Sequence, residues 1–446
     1  MSVDAILTQV HTSAVRLVRF LYCDTSGIIR GKLTHVDRLK DRLESGIGLV
    51  KGMMAMNMLD EMQTDTGLGA TGEVRLLPDL DSFAILPYGV GQAMVLCDLV
   101  ELDRAPWAMC PRTVLKRQIA KALEAGITIQ AAFEPEFTLG TVENEEFEPI
   151  DESLCFSTEG MNRASPFIEK FVRALELQNV PVELYHPELG HGQHELSVGH
   201  TSALAAADRL VIYRETLRGV ATDSGLIASM APKPLAEQAG NGCHLHLSAW
   251  DARGERNLFW SPEGLSEVGK QFIAGILKHL PALVAVTCPS VNSYRRLKPR
   301  SWSSAFTCWG YENREAAVRV PSTYWGKEEQ STNIEIKCVD NSCNPYLALA
   351  AVIAAGLDGI KRNLKAPLPV DVDPSSFNTE EMTKRSIKRL PSSLKEALRA
   401  LLHDGVIMEA LGDPLAASFI TVKTSEVLAF SKHAQEFELK QHRTKF

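Results

Sequence analysis

The distribution of apolar and polar positions divides the chain into two parts. The first hundred residues show short stretches of alternation separated by turns, with helical periodicity only at the N-terminus and near residues 36–46. Prolines 106 and 111 then interrupt the pattern, and "TVLKRQIAKALEAG" begins a clear helix. We therefore predict a first domain at residues 1–105 and a second at residues 106–446.

Beyond the boundary, the pattern alternates between strands and helices. It predicts strands at residues 127–140, 181–185 and 243–250, and helices at residues 165–178, 201–223, 263–280 and 344–363. This order indicates an α+β or α/β catalytic domain. The longest apolar stretch, residues 346–360, is too short for a membrane span and is interrupted by Asp358.

Composition adds only broad limits. A chain of 446 residues exceeds one ordinary core, which agrees with two domains. The net charge of −8, without a block rich in Lys and Arg, argues against a nucleic-acid partner. The nine cysteines form no CxxC pair, and the N-terminus lacks a signal-peptide pattern, so we expect a cytoplasmic protein without a membrane partner.

The segment "GLGATG" at residues 67–72 matches the glycine pattern of dinucleotide-binding loops. The residues before it do not form a buried-strand pattern, and "EVRLLPD" after it does not form a helical one. Because that loop requires a strand before it and a helix after it, we reject a dinucleotide site.

Two acidic residues interrupt the apolar strand "AAFEPEF" at residues 131–137. Glu134 and Glu136 are two apart, so a strand directs both to one face. Unpaired charges are costly to bury, so the pair requires a cation, water or a functional cleft.

Two further segments are rich in metal-ligand residue types. In "HPELGHGQHELS" at residues 186–197, a loop carries Glu188 and a strand carries Glu195; the alternative is a polar surface loop. In "GNGCHLHLS" at residues 240–248, the glycines permit a tight turn, and His244, His246 and Ser248 share one strand face. A metal or phosphate neighbour is one interpretation, and two hydrogen-bonded core histidines are the other.

Arginines are the last residue type that indicates a binding site for charged ligands. "NSYRRL" contains Arg296, "NREAAVRVP" contains Arg314 and Arg319, and "NIEIK" places Glu335 between apolar neighbours. Guanidinium groups bind carboxylates and phosphates in a bidentate manner, although solvated surface arginines are the alternative. Five acids and a histidine form an oxygen-rich set typical of Mg²⁺ or Mn²⁺. The combination predicts metal-dependent phosphoryl transfer.

These motifs, in this order, resemble the glutamine synthetase family of the bacterial type I length. The resemblance rests on "EPEF", "GxGxHxHLS", "NSYRRL", "NREAAVRVP" and "NPYLALAA", and it covers nearly the whole chain. It implies a small N-terminal β-grasp domain, a large C-terminal catalytic α/β domain and an α+β fold overall. It also implies homo-oligomeric rings, usually dodecamers, with active sites between neighbouring subunits.

The same resemblance assigns roles to individual residues. It implies that one Mg²⁺ (or Mn²⁺) is held by Glu136, Glu188 and Glu195, and a second by Glu134, His244 and Glu335. For ATP, the co-substrate, it implies contacts from His246, Ser248, Arg314 and Arg319, with both arginines acting catalytically on the phosphates. For glutamate it implies contacts from Gly240, Arg296 and Lys337.

The departures from the family pattern concern the amine. Family members that use ammonia carry an early Asp and a flap Glu, which bind ammonium and take its proton; Lys51 and Trp302 stand at these positions. Two further departures concern the acid: Lys337 replaces an Arg that holds the glutamate carboxylate, and Ala239 replaces a common Asn near the amino group, so the acid is either glutamate held differently or a related carboxylate. We therefore predict a ligase that phosphorylates the γ-carboxylate of glutamate and joins it to an organic amine, with Lys51 and Trp302 in the amine pocket. The alternatives are a true glutamine synthetase and a non-catalytic ring protein.

Overall fold

A computed structural model describes residues 1–143 and 146–446 of the chain. Its N-terminal part contains a small sheet in which β1 and β6 run parallel and the other neighbours are antiparallel, in the order β2-β1-β6-β4-β3 with β5 beside β6. The elements of this part are α1 (Val3–Thr12), β1 (Leu17–Cys23), β2 (Ile29–His35), α2 (Leu39–Ser45), β3 (Ile47–Val50), β4 (Glu73–Pro78), β5 (Ala84–Ile85) and β6 (Gln92–Val100).

The C-terminal part contains a larger sheet, a separate two-stranded sheet of residues 260–261 and 264–265, and helices. Its strands are β7 (Ile127–Glu143), β8 (Glu146–Pro149), β9 (Val182–Pro187), β10 (Gln193–Val198), β11 (Thr201–Ser202), β12 (Ile227–Ser229), β13 (Cys243–Asp251), β14 (Trp260–Ser261), β15 (Gly264–Leu265), β16 (Trp309–Tyr311), β17 (Val318–Val320) and β18 (Ile334–Ile336). Its helices are α3 (Pro111–Glu124), α4 (Thr158–Glu176), α5 (Ala203–Asp223), α6 (Glu267–Thr287), α7 (Ser293–Arg296), α8 (Glu328–Ser331), α9 (Pro345–Lys361), α10 (Thr379–Lys384), α11 (Leu394–Leu402), α12 (Gly405–Leu411), α13 (Asp413–Phe430) and α14 (Gln435–Lys445).

The large sheet is organised around its longest strand. Its order is β16-β17-β18-β13-β7-β10-β9, and β8, β11 and β12 also pair with β7. A small N-terminal domain and a large mixed helix-and-strand domain confirm the predicted fold class. The acids of β7 and the histidines of β13 therefore lie on central strands of the sheet.

Helix α9 lies in the hydrophobic core of the C-terminal part. Asn344 caps it, since its side chain accepts hydrogen bonds from the amides of Tyr346 and Leu347, and Pro345 occupies the first turn. Its residues are buried continuously from Pro345 to Gly356, as expected for a helix that is apolar on all sides. The Asn344 amide group also donates to the carbonyl of Asp24, which connects this core to the N-terminal domain.

Arg112 at the start of α3 joins the two domains. Its guanidinium lies 2.6 Å from Asp79 and 3.1 Å from Asp98 of the N-terminal domain, and 2.8 Å from Asp208 on α5. The Arg112 side chain is only 3% exposed, and the Tyr346 hydroxyl also donates to Asp208. A single buried cation therefore neutralises acids from both domains.

The boundaries of two predicted helices were wrong, and the one predicted at residues 263–280 begins only at Glu267, because residues 264–265 form a strand. Helix α4 begins at Thr158 rather than residue 165, because Ser157 accepts a hydrogen bond from the Gly160 amide and Pro166 is accommodated inside the helix. Helix α6 extends to Thr287 rather than residue 280, again with a proline inside it, Pro281. The tertiary packing of these helices outweighs the local preference of proline.

Helices α10 to α14 were not predicted from the pattern.

Among the described residues, no single helix is both long and apolar enough to cross a membrane, and α12 with α13 meets that criterion only as a pair bent by 103°. The rejected glycine motif at residues 67–72 leads into strand β4 and not into a helix.

Candidate active site

Five neighbouring strands direct their chemically active side chains to one face of the large sheet. Residues directly opposite each other on adjacent strands share a face. The pairs run Arg319 opposite Glu335, Glu335 opposite His246, His244 opposite Glu134, and Glu136 opposite Glu195. The acids and histidines that the sequence placed on separate strands therefore form one continuous cluster.

The cluster contains three overlapping groups in which the ligand atoms lie within 4.8 Å of one another. The groups are Glu134 with Glu195 and His244, Glu134 with His246 and Glu335, and His186 with Glu188 and Glu195. Glu134 and Glu195 each belong to two groups. Five of the six predicted metal ligands belong to these groups, whereas Glu136 belongs to none of them. The group that contains both Glu134 and Glu335 includes His246, which was predicted to bind the nucleotide, and not His244. The assignment of ligands to two ions stays a prediction.

Glu136 is the buried member at the centre of this face. Its Oε2 accepts a hydrogen bond from Gln193 Nε2 at 2.7 Å, and its Oε1 lies 4.0 Å from His244 Nε2. Burial, together with the Glu188 carboxylate, raises the pKa of Glu136 to about 7. Burial and the neighbouring Glu134 raise the pKa of Glu195 well above its ordinary value. Among the described residues, neither carboxylate forms an ion pair with a lysine or an arginine; their nearest basic partners are His244 and His186.

Glu335 occupies the opposite electrostatic environment. Burial alone would raise the pKa of this carboxyl, but Lys337, His244, His246 and Arg319 hold it well below its ordinary value. Lys337 Nζ lies 3.2 Å from Oε1, and Arg319 Nε lies 2.5 Å from Oε2. Glu335 is 1% exposed, and because its neighbours keep its pKa low, it is a buried carboxylate that carries its charge.

The two histidines of β13 differ in charge. His246 Nε2 lies 3.1 Å from Glu134 Oε2, and its Nδ1 lies 2.9 Å from Asn333 Oδ1. Burial favours the neutral ring, yet the Glu134 carboxylate raises the pKa of His246 to about 9. Burial and the nearby Lys337 lower the pKa of His244 well below its ordinary value, so His244 is a neutral potential ligand.

The turn at residues 240–242 requires glycine for steric reasons. A Cβ atom on Gly242 would lie 2.8 Å from Glu136 Oε1 and from His244 Nε2, and one on Gly240 would lie 2.3 Å from the Pro232 carbonyl. Arg296 lies beside this turn, buried, and donates to the carbonyl of Val339 at 2.8 Å. Gly240 and Arg296, both predicted to bind glutamate, are therefore adjacent.

Two predicted nucleotide-binding residues lie outside the acidic cluster. Ser248 is buried on β13, where its hydroxyl accepts from Trp250 Nε1 at 2.9 Å, and Arg314 is exposed in the loop after β16. Their roles toward ATP stay predictions.

Lys51 and Trp302 are not in contact within one chain. Lys51 Nζ lies 2.8 Å from Glu101 and over the Trp107 ring, both in the N-terminal region. Trp302 is 50% exposed in the loop after α7. A common amine pocket built by these two residues from neighbouring subunits, which the resemblance implied, stays a prediction.

Sequence reasoning did not assign three residues that complete the site. His186 Nε2 lies 2.9 Å from Glu188, and Gln193 donates both to Glu136 and to the carbonyl of Gly240. Asn341 donates to the carbonyls of Glu136 and Gly242. His186 and Gln193 lie in the segment already singled out, but no local pattern distinguishes them from surface polar residues.

The donor set fits divalent cations. Carboxylates with raised pKa values, crowded together with a neutral imidazole, are stabilised by an added positive charge. Hard oxygen ligands with one or two nitrogens are typical of Mg²⁺ or Mn²⁺ sites.

Comparison with known proteins places this geometry in a family. The family sequence model described as the glutamine synthetase N-terminal domain matches residues 2–107, and the one described as the glutamine synthetase catalytic domain matches residues 108–442. The chain belongs to the glutamine synthetase family. It is therefore an ATP-dependent carbon–nitrogen ligase. That the cluster on the large sheet forms its active site stays a prediction.

Relatives within the glutamine synthetase family differ in the reaction that their names state. The gamma-glutamylpolyamine synthetase GlnA3 of Streptomyces coelicolor is 39% identical over 431 residues, which cover 95% of this chain and 92% of that protein. The glutamine synthetase of Thermotoga maritima is 32% identical over 452 residues and covers 99% of both chains.

Solved structures of the family have the same architecture. A structure described as a novel glutamine synthase homolog has a TM-score of 0.86 at 33% identity and covers 97% of this chain and 99% of that one. GmaS in complex with ADP has a TM-score of 0.84 at 28% identity and covers 97% and 98%. The family uses ATP, divalent metal ions and small-molecule substrates such as glutamate.

Proposed function

We propose that this ligase joins the γ-carboxylate of glutamate to an organic amine rather than to ammonia. The observation that carries the proposal is the residue at each of the two acceptor positions. Lys51 is a cation, and at 4 Å it would repel any protonated acceptor, ammonium and alkylammonium alike, by roughly 1–4 kcal/mol, depending on the local dielectric. It therefore favours an acceptor that is neutral when it binds. Trp302 is a half-exposed aromatic side chain that contributes an apolar surface and no proton acceptor.

The relatives support the same choice. The gamma-glutamylpolyamine synthetase of Streptomyces coelicolor is named for an organic amine acceptor and is 39% identical to this chain, against 32% for the glutamine synthetase of Thermotoga maritima. The latter similarity favours glutamine synthetase activity as the second candidate.

Glutamate is the acid substrate in this proposal. Arg296 and Gly240 border the site beside the acidic cluster, and Lys337 adds a buried ammonium group. A lysine is a point charge and makes no bidentate contact with a carboxylate, so we propose that Arg296 makes the stronger contact.

ATP and the metal ions act at the adjacent part of the face. Glu134, Glu136, Glu188, Glu195, His244 and Glu335 would hold two or more Mg²⁺ (or Mn²⁺) ions. These ions, when bound, would neutralise the phosphoryl oxygens. Arg319 lies at the edge of the cluster, and Arg314 is free in an exposed loop to approach the phosphates. Together the two arginines would stabilise the charge of the phosphoryl group as glutamate is phosphorylated.

The amine then attacks the acyl phosphate and releases inorganic phosphate. An arylamine is already neutral at pH 7 and attacks without first losing a proton. As the C–N bond forms and the C–O bond to phosphate breaks, the proton that leaves the nitrogen passes to the released phosphate or to water, so the absence of both acids does not prevent this step. Because Lys51 and Trp302 do not meet within one chain, we propose that Lys51 reaches the site from a neighbouring subunit in a ring, a dodecamer by analogy with the family.

The test is phosphate release from ATP in the presence of glutamate and Mg²⁺. Ammonia, putrescine, methylamine and aniline are compared as acceptors at matched concentrations, and each product is identified by mass. We expect an organic amine to have a higher kcat/KM than ammonia. If ammonia is the best acceptor, the Lys51 and Trp302 interpretation is wrong and the protein is a glutamine synthetase.

A further inference from the structure

The loop that carries Trp302 has an unfavourable backbone. Arg300, Trp302 and Ser304 have φ values of 58°, 52° and 66°, in the left-handed region. Residues with a Cβ atom rarely adopt this region, and three in five positions require external support. The side chain of Trp302 is half exposed, so its own packing does not supply that support.

The buried carboxylate of Glu315 provides it. Glu315 Oε1 accepts a hydrogen bond from the Trp302 amide at 2.9 Å, and Oε2 accepts one from the Arg300 amide at 3.2 Å. The backbone amide of Glu315 donates to Asn313 Oδ1, and this hydrogen bond holds the backbone of the residue that carries the carboxylate. One carboxylate therefore binds two backbone amides of the same loop.

The loop is also connected to the predicted glutamate contact. The Ser303 hydroxyl donates to the carbonyl of Arg296 at 2.7 Å, and the Ser301 hydroxyl donates mainly to the carbonyl of Lys298, with the Arg296 carbonyl 3.2 Å away. Ser303 is only 2% exposed. The backbone on which Trp302 stands is thus held between Arg296 on one side and Glu315 on the other.

We propose that Glu315 is a positioning residue for the acceptor amine: it holds the loop so that the exposed face of Trp302 borders the amine position beside the glutamate site. This assignment deepens the proposed function and rests on it. Without the carboxylate, two amides lose their acceptor and the loop no longer favours the left-handed conformation. Trp302 would then sample several orientations, and the amine would bind less tightly.

The experiment compares Glu315→Ala and Glu315→Gln with the wild-type full-length enzyme. Kinetics are measured with aniline and putrescine, and phosphate release is also measured without any amine. Amide hydrogen exchange of the peptide covering residues 298–304 is followed by mass spectrometry. Glu312→Gln, an exposed acid in the same connection, is the matched control.

We expect Glu315→Ala to raise the KM for the amine about tenfold, because a misplaced contact residue weakens binding of its ligand. The glutamate KM and the amine-independent phosphate release should stay within about twofold, and exchange in residues 298–304 should accelerate. Glu315→Gln retains one acceptor oxygen and should lie between wild type and Glu315→Ala. Trp302→Ala should raise the amine KM as well, with the same glutamate KM.

Two results would overturn the assignment. One is an unchanged amine KM, whether or not exchange accelerates. The other is an equal loss of all kinetic parameters together with a lower melting temperature, which would indicate a purely structural role. Failure of the proposed function is seen separately, in the wild type, as turnover with ammonia but with neither amine. The exchange rates would then still decide whether Glu315 holds the loop.

Discussion

The Lys337 ammonium lies 3.2 Å from the Glu335 carboxylate, two residues earlier along the chain, and both side chains are about 1% exposed. The same ammonium lies 3.5 Å from His244 Nε2. A buried cation of the protein therefore lies among the side chains predicted to bind the second metal ion, and it is also the residue predicted to bind glutamate. Lys337 thus lies at both the predicted metal site and the predicted glutamate site.

Replacing Lys337 by Met should affect these ligands in opposite directions. Loss of a buried positive charge should strengthen Mn²⁺ binding about tenfold, whereas glutamate binding should weaken by a similar factor. Mn²⁺ binding is measured by calorimetry without ATP, and the glutamate KM is measured at saturating metal. Lys337→Arg, which keeps the charge, is the control. Weaker metal binding in Lys337→Met would contradict the electrostatic interpretation.

Metal binding should increase with pH toward neutrality. Glu136 has a pKa of about 7 in the protein without metal, and a carboxylate must lose its proton to bind a cation. Below pH 7 the apparent affinity should therefore rise by about tenfold per pH unit for each coupled proton. Calorimetry in two buffers of different ionisation enthalpy should detect the released protons. An affinity independent of pH between 5.5 and 7 would refute this.

The same pKa has a consequence for stability. The pKa of Glu136 is raised from 4.5 to about 7 on folding, so the protonated form is favoured in the folded state. Its contribution to stability is fully present below pH 4.5 and is lost as the pH rises through 7. The increase in melting temperature that Mn²⁺ causes should therefore be larger at pH 8 than at pH 6. Glu136→Gln should reduce this difference.

Restoring two acids at the acceptor positions should restore the use of ammonia. In the double variant Lys51→Asp, Trp302→Glu, the carboxylates can bind ammonium and accept its proton, so kcat/KM for ammonia relative to putrescine should rise about 10²-fold or more. Glu101, which loses its Lys51 partner, is 34% exposed and can turn to solvent.

The neutral variant Lys51→Asn, Trp302→Gln separates the acids from the change of shape. We expect it to lose activity with the organic amine without gaining activity with ammonia. Equal ammonia activity in the two double variants would show that the carboxylates are not the deciding feature.

Arg112→Met should destabilise the junction between the domains. Removing this side chain leaves Asp79, Asp98 and Asp208 without their shared cation, which should cost about 3–5 kcal/mol of unfolding free energy. Lys116→Met, which removes an exposed partner of Asp98, should cost about 1 kcal/mol or less. Urea denaturation followed by fluorescence measures both.

The effect of Arg112 should depend on pH. Burial raises the pKa of Asp79, but the Arg112 guanidinium outweighs burial and lowers that pKa below its ordinary 3.8. The stabilisation is therefore present above pH 3.8 and is lost as the pH falls through the lowered value. The difference between wild type and Arg112→Met should narrow at low pH. A constant difference would indicate that packing, and not charge, dominates.

Features that depend on nearby residues were predicted well. The strands at residues 127–140 and 243–250 correspond to β7 and β13, and the helix at residues 344–363 corresponds to α9. Helix ends at Thr158 and Thr287 were not predicted, because prolines inside α4 and α6 are tolerated only in the packed structure. Helices α10 to α14 were not predicted either, although α11 has an amphipathic pattern and begins after Ser393, whose side chain accepts a hydrogen bond from the Glu396 amide.

The alternation of residues along single strands by itself determined that Glu134 and Glu136 share a face, and that His244, His246 and Ser248 share another, because side-chain direction in a strand is a local property. Only the tertiary structure decided that these faces coincide, with Glu134 opposite His244 and Glu136 opposite Glu195. It also decided that Glu315 binds the Trp302 loop. Strand order and register arise from contacts between residues distant in the sequence, and burial then sets the charge of each group.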